Sequence, residues 1–209
     1  MDSIVIDLQR DSVDRSIHIT DLLRKALLVS RKLKIKDIEQ WIDSELNGYK
    51  TNKIPDYRIV YGEVKAFNPY RGWIPVMVPD QKWSDMLRSQ NIYLSVSQIE
   101  DLARNSNEGS FIAKYSSQQA NIIMNLMGED FEPALHIPTH QLIRIIDVTK
   151  TKIMDFALDL ESRGIMGEGL LFSTKEKKLA ENITNNTIYI ESMVNSKLQQ
   201  DTVKTKVKK

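Results

Sequence analysis

The chain has three histidines, His18, His136 and His140. His136 and His140 are four residues apart, a spacing that suits a metal when both stand on one helix face. Pro138 lies between them and marks a strand-to-helix junction, so their side chains need not point the same way. No H-E-x-x-H accompanies them. They read as structural or hydrogen-bonding residues, or as the lining of a pocket beside a helix N-terminus, where anions bind. A second set has the residue types of a metal-dependent nuclease: Pro55-Asp56 followed by Glu63-Val64-Lys65. That chemistry needs two carboxylates on a shared metal and a lysine beside the attacked phosphate. Seven residues along one strand would hold Asp56 and Glu63 about 23 Å apart and on opposite faces. They converge only if Tyr61-Gly62 forms a turn; otherwise Glu63 and Lys65 are an exposed pair on a sheet strand.

Other groups carry weaker chemistry. Asp155 and Asp159 stand one helical turn apart, but Asp159 can pair with Arg163 at i+4, which describes a solvated helix face. Gly164-Ile165-Met166-Gly167-Glu168-Gly169 could hold phosphate through backbone amides, yet it follows a helix where phosphate loops lead into one. A tight connection is the better reading. Phosphate-loop, dinucleotide-fold and nucleophile-elbow motifs do not occur. The most binding-like cluster is Tyr70, Arg71 and Trp73, because aromatic and arginine side chains dominate protein interfaces and stack on bases. The alternative is that Tyr70 and Trp73 pack back on their own hairpin.

These residues must be positioned by the elements around them. A helix is expected from Ser3 to about Asp14. Thr20 can cap a second, with Leu23, Ala26, Leu27 and Ser30 on one face. Ile35, Ile38, Trp41, Ile42, Glu45 and Leu46 repeat the pattern until Gly48. The period then changes. Tyr57, Ile59, Tyr61, Val64 and Phe67 favour a strand, Asn68–Gly72 a turn, and Trp73–Val78 a second strand. Pro75 removes a ladder donor, which places that strand at an edge or at a bulge. Short elements follow: a helix over Asp80–Arg88, a strand over Ile92–Leu94, and a helix opened by the box Ser97-Gln98-Ile99-Glu100. Next come a strand over Phe111–Tyr115, a helix capped by Ser117 and ended by Gly128, and a strand over Pro133–Ile137. The longest helical pattern, 139–163, carries Leu142, Ile145, Ile146, Ile153, Phe156, Ala157 and Leu160. Ser173-Thr174-Lys175-Glu176 opens one more helix, Thr187–Val194 is a last strand candidate, and 196–209 is a polar basic tail.

Composition limits the function classes. The 209 residues include no cysteine, which excludes disulfide scaffolds, thiol catalysis, zinc ribbons and iron–sulfur clusters. Lys and Arg number 29 against 28 Asp and Glu, so net charge offers no argument for nucleic acid or a membrane. No stretch approaches the roughly 20 apolar residues of a membrane span. Asp2, Asp7 and Arg10 interrupt any leader. A cytoplasmic address is expected, with no cofactor and no metal.

Three stretches together resemble the AbiTii family of abortive-infection proteins. The first is Asp21-Leu22-Leu23-Arg24-Lys25-Ala26 followed by Trp41-Ile42-Asp43-Ser44-Glu45-Leu46-Asn47-Gly48-Tyr49. The second is the tyrosine-rich region to Gly72-Trp73-Ile74-Pro75-Val76. The third runs from Ile153 to Glu161 with Gly164-Ile165, then Gly167-Glu168-Gly169 and Phe172-Ser173. The resemblance implies bacterial or phage-related biology, in which a cell stops phage multiplication at its own expense. It carries no reaction and no catalytic residue onto this chain. The signature residues Trp41, Leu46, Gly48 and Tyr49 read as a helix end docking on a sheet.

The expectation is therefore an α+β protein. A helical subdomain at 1–50 packs on a mixed region at 51–195 that contains a β-hairpin and the long helix. Function is expected from a non-enzymatic sensor, regulator or interaction module, with a protein partner or a second copy. Tyr70, Arg71, Trp73, His136 and His140 are the candidate contacts. The alternatives are a nuclease using Asp56, Glu63 and Lys65, or a binder of a nucleotide signal.

Overall fold

Three amphipathic helices open the chain. In the computed structural model, which describes residues 3–50, 54–78, 80–105 and 109–184, these are α1 (Ile4–Val13), α2 (Ile19–Leu33) and α3 (Lys36–Asn47). The Ser3 hydroxyl caps α1 by accepting from the Ile6 amide at 3.3 Å. α2 begins before Thr20. Its N-cap is His18, which makes no side-chain cap bond, and the helix buries Ile19, Leu22, Leu23, Ala26, Val29, Ser30 and Leu33. Ile19, the first residue of the helix, is fully buried in the core. α3 buries Ile38, Trp41, Ile42 and Glu45 on one face.

The expected strand over 57–67 is broken in two. Tyr57 lies in a 3-10 turn, Asp56–Arg58, and is followed by β1 (Ile59–Tyr61) and β2 (Glu63–Asn68). Gly62 separates them. A Cβ there would lie 2.5 Å from the His136 carbonyl oxygen, so only glycine lets the chain pass this close. β3 (Gly72–Pro75) returns beside β2, as the turn signal predicts. Asn68 Oδ1 accepts from the Tyr70 and Arg71 amides at 2.8 and 3.1 Å.

The remaining elements are α4 (Gln81–Arg88), β4 (Ser89–Asn91), α5 (Val96–Asn105), β5 (Ser110–Lys114), α6 (Ser117–Met127), β6 (Pro133–Pro138), α7 (Thr139–Ser162) and α8 (Thr174–Thr184). β4 precedes the expected Ile92–Leu94, because the strand segment that faces β1 is Ser89–Asn91. Two capping boxes are displaced from their expected positions. α5 is opened by Ser95 and Gln98, whose side chain accepts from the Ser95 amide at 3.0 Å. The overlapping Ser97–Glu100 box loses because starting at Val96 buries Val96 and Ile99 together. Ser116 with Gln119, rather than Ser117, opens α6. The Ser173–Glu176 box forms as expected. The strand candidate 187–194 and the basic tail lie outside the described residues.

Two small antiparallel sheets result. β1 pairs with β4, and the larger sheet has the order β3-β2-β6-β5. Pro75 is on the edge strand, as its missing donor requires. Helices cover one face of the larger sheet: Val64, Ala66, Leu135 and Ile137 pack with Ile99, Ile123, Leu142 and Ile145. A second core joins α1, α2 and α3 to Ile153, Phe156, Ala157 and Leu160 of α7 and to Ala180 and Ile183 of α8. The 24 residues of α7 run through both cores. The protein is an α+β fold strung on this long helix. No helix among the described residues is long and apolar enough to cross a membrane.

Candidate functional site

Where the two cores meet, α3 and the 3-10 turn bury a pair of charges. Glu45 and Arg58 are both fully shielded from solvent. Glu45 Oε1 accepts from the Tyr49 and Tyr57 hydroxyls, each at 2.6 Å, and from Arg58 Nε at 3.1 Å. Glu45 Oε2 accepts from Arg58 Nη2 and, at 3.4 Å, from Thr149 of α7. Trp41 Nε1 donates to the Tyr57 hydroxyl at 2.8 Å. Arg58 Nη1 donates to the carbonyls of Ile92 and Leu94, and its guanidinium lies 4.7 Å from the Tyr49 ring centre. Burial, and then the Glu45 carboxylate, push the Tyr49 and Tyr57 phenols well above their ordinary range. Burial also lowers Lys152, which sits 5.4 Å from the Tyr57 ring centre. Gly48 completes the joint. Its φ is +84°, and a Cβ would lie 2.8 Å from the Tyr93 carbonyl oxygen.

This cluster explains the W-I-x-x-E-L-x-G-Y stretch as structure. The sequence placed Glu45 on the apolar face of α3 but did not show its partners, Tyr57 and Arg58, twelve and thirteen residues on. A carboxylate on an otherwise buried helical face was the available signal. Both its oxygens carry donors, so the cluster holds the two cores together and leaves no acceptor turned toward a ligand.

The larger sheet offers the opposite situation. Alternation sends Glu63, Lys65 and Phe67 of β2, Trp73 of β3, Ile112 of β5 and His136 of β6 to the face away from the helices. Phe67 is 46% exposed, Trp73 38% and Ile112 43%. The Trp73 ring meets both neighbours edge to face, Phe67 at 5.4 Å and His136 at 4.6 Å between centroids. His136 beneath it is 9% exposed, and its Nε2 has no hydrogen-bond partner. Burial, and then Lys65, lower the His136 pKa against the opposing pull of Glu63. The imidazole is therefore neutral near pH 7. Lys65 and Glu63 form the expected pair at 3.2 Å.

The other candidates scatter. Tyr70 projects from the β2–β3 turn at 96% exposure, with Arg71 exposed beside it. His140 is exposed at the start of α7 beside Gln141, whereas His136 is buried against Trp73. Asp56 is exposed in the 3-10 turn, on the other side of Gly62 from Glu63. Among the described residues no group of three His, Cys, Asp or Glu side chains could hold a metal ion. Asp159 pairs with Arg163 at 2.8 Å, as the i+4 spacing predicts, though both side chains are partly buried. The Met166 and Gly167 amides at the centre of the 164–169 loop are already used. Glu176 Oε1 accepts from Met166 and Gly167 at 2.9 and 2.8 Å, and Oε2 accepts from Ser173 at 2.7 Å. Burial works to raise the Glu176 pKa; the Gly167, Ser173 and Met166 hydrogen bonds outweigh it and hold the carboxyl down at about 2. The chain's own carboxylate thus fills the position a phosphate would take. One cleft escaped the sequence reading altogether: about 750 Å³ lined by Tyr61, Asp85, Arg88 and Asn91 beside β1 and β4.

No curated protein and no solved structure matches the chain. The AbiTii family model matches residues 3–185, from the cap of α1 to the end of α8. That span takes in both cores, the buried Glu45–Arg58 joint and the open sheet face. The chain belongs to the AbiTii family, and so to abortive infection, a defence against phage.

Proposed function

We propose that this protein acts in abortive infection as a non-enzymatic recognition module, a sensor or regulator that engages a protein partner through the open face of its larger sheet. One observation carries the reading. Helices pack one face of that sheet, while the other presents Phe67, Trp73 and Ile112 at roughly 40% exposure. Tyr70 and Arg71 stand at its rim. Tryptophan, tyrosine, phenylalanine and arginine are the residues enriched where proteins meet. The charges on the face come in pairs, Glu63 with Lys65 and Lys114 with Glu132, so it has no net field to attract a polyanion.

The test is co-purification of the tagged full chain from infected and uninfected cells, with the Arg71→Ala/Trp73→Ala double variant alongside. A protein that accompanies the wild type and is lost from the folded variant supports the reading. Identical companions on both chains contradict it, and a nucleotide lost in place of a protein favours a ligand sensor. A catalytic reading has one observation in its favour: Glu63, Lys65 and the neutral His136 share this face. Metal-dependent cleavage of nucleic acid that disappears in both Glu63→Gln and Lys65→Ala would replace recognition with that chemistry.

A further inference from the structure

The two edges of the larger sheet differ in how they meet solvent. The Phe67 amide donates to the Glu132 carbonyl at 2.9 Å, and the Val76 amide to the Val64 carbonyl at 2.9 Å. These bonds fix the phase of the whole ladder. Residues 63, 65 and 67 of β2 turn their backbone groups toward β6; residues 64 and 66 turn theirs toward β3. By the same alternation, the backbone groups of Trp73 and Pro75 face outward on β3. Pro75 has no amide hydrogen to offer there, so that edge is blunted. On β5, Phe111 and Ala113 bond to Ile137 and Leu135, and Ser110, Ile112 and Lys114 face outward. Among the described residues β5 pairs with β6 alone, and β5 contains no proline. An edge of this kind is a template for another strand.

The geometry points to a second copy of this chain as the occupant, joined through antiparallel pairing of β5 with β5 across a twofold axis at Ile112. A twofold at residue 112 matches Ser110 with the partner's Lys114 and Ile112 with itself, hydrogen-bonded pair to hydrogen-bonded pair, and two features of these residues favour the copy over an unrelated strand. The charges do not collide, because each Lys114 lies opposite a serine and the two lysines stand about 14 Å apart along the seam. The side chain that would meet its own image, Ile112, is apolar and 43% exposed. The result is one continuous sheet of eight strands. The inference uses the backbone edge of β5 and shares only Ile112 with the recognition reading, whose aromatic residues Phe67 and Trp73 lie on β2 and β3 toward the other edge of the sheet.

The chain has no cysteine of its own, so a single introduced thiol reports the register. In the twofold pairing the Cα atoms of the two residues 112 are about 5.5 Å apart, within disulfide range, and those of the two residues 114 are far outside it. Full-length Ile112→Cys and Lys114→Cys proteins are treated with oxidised glutathione, which takes up the two electrons and two protons released per disulfide. The wild type should sediment at twice 24.1 kDa, Ile112→Cys should convert to a covalent dimer, and Lys114→Cys should not. The Arg71→Ala/Trp73→Ala variant should stay dimeric even where it loses its partner. A monomeric wild type, a dimer in which neither thiol crosslinks, or crosslinking at 114 as complete as at 112 would each overturn the pairing.

Discussion

The buried joint around Glu45 and the open sheet face around Trp73 use nearly the same residue types. Each has a tryptophan, further aromatic rings and a Glu–Lys or Glu–Arg pair. In the joint, Trp41 Nε1, both tyrosine hydroxyls and the Arg58 guanidinium all converge on one another and on Glu45. On the open face, the rings keep roughly 40% of their surface in water and His136 Nε2 has no partner. Similar residue types are therefore satisfied within the chain in one place and left exposed in the other. What separates them is whether the hydrogen-bonding and apolar capacity has already been met inside the chain.

The joint should break hardest. Glu45→Ala leaves the Arg58 guanidinium buried and uncompensated, at an expected cost of about 3–5 kcal/mol. The double change Glu45→Met with Arg58→Met should cost less than the single one, because it removes both charges together. Urea melts of the three proteins test that order. Trp41→Ala should also lose about 3–5 kcal/mol, as a buried large ring does, whereas Trp41→Phe forfeits mainly the hydrogen bond to Tyr57, about 1 kcal/mol. At Gly48, alanine would meet the Tyr93 carbonyl in a backbone conformation that side chains avoid, for about 1–3 kcal/mol.

The open face should give way more gently. Trp73→Ala should cost about 1–2 kcal/mol, since part of the ring is already hydrated. The smallest expected effect is at His136. His136→Phe removes an unpartnered nitrogen and should change stability by less than about 1 kcal/mol near neutral pH. It should also remove a pH dependence. The folded pKa of His136 is lowered, so the unfolded chain takes up the proton first, and the wild type loses stability as pH falls from 6.5 toward that lower value. Thermal melts at about pH 7.5 and about pH 5.5 should show this loss reduced in the variant.

Local signals were legible in the sequence. The Asn68–Gly72 turn, the edge position of Pro75, the Ser173–Glu176 box, the Asp159–Arg163 pair and the long helix all depend on residues a few positions apart. The contacts that define the two regions do not. Trp73 touches His136 across an intervening strand, and Glu45 meets Thr149 of α7 at a distance of 104 residues in the chain. Gly62 gave no local hint that β6 would pass within van der Waals reach of it. Overlapping Ser-x-x-Gln and Ser-x-x-Glu boxes at 95 and 97 could be decided only by the burial of Val96 and Ile99, a tertiary fact.

Phage restriction by a Phe67→Ala/Trp73→Ala double variant, with its urea melt recorded and Trp41→Phe as the control, tests the central claim most directly. Both altered proteins should remain folded. The double variant should lose restriction, while the control, weakened within the joint but intact on the open face, should keep it. A folded double variant that restricts phage as well as the wild type would contradict the assignment of recognition to this face of the sheet.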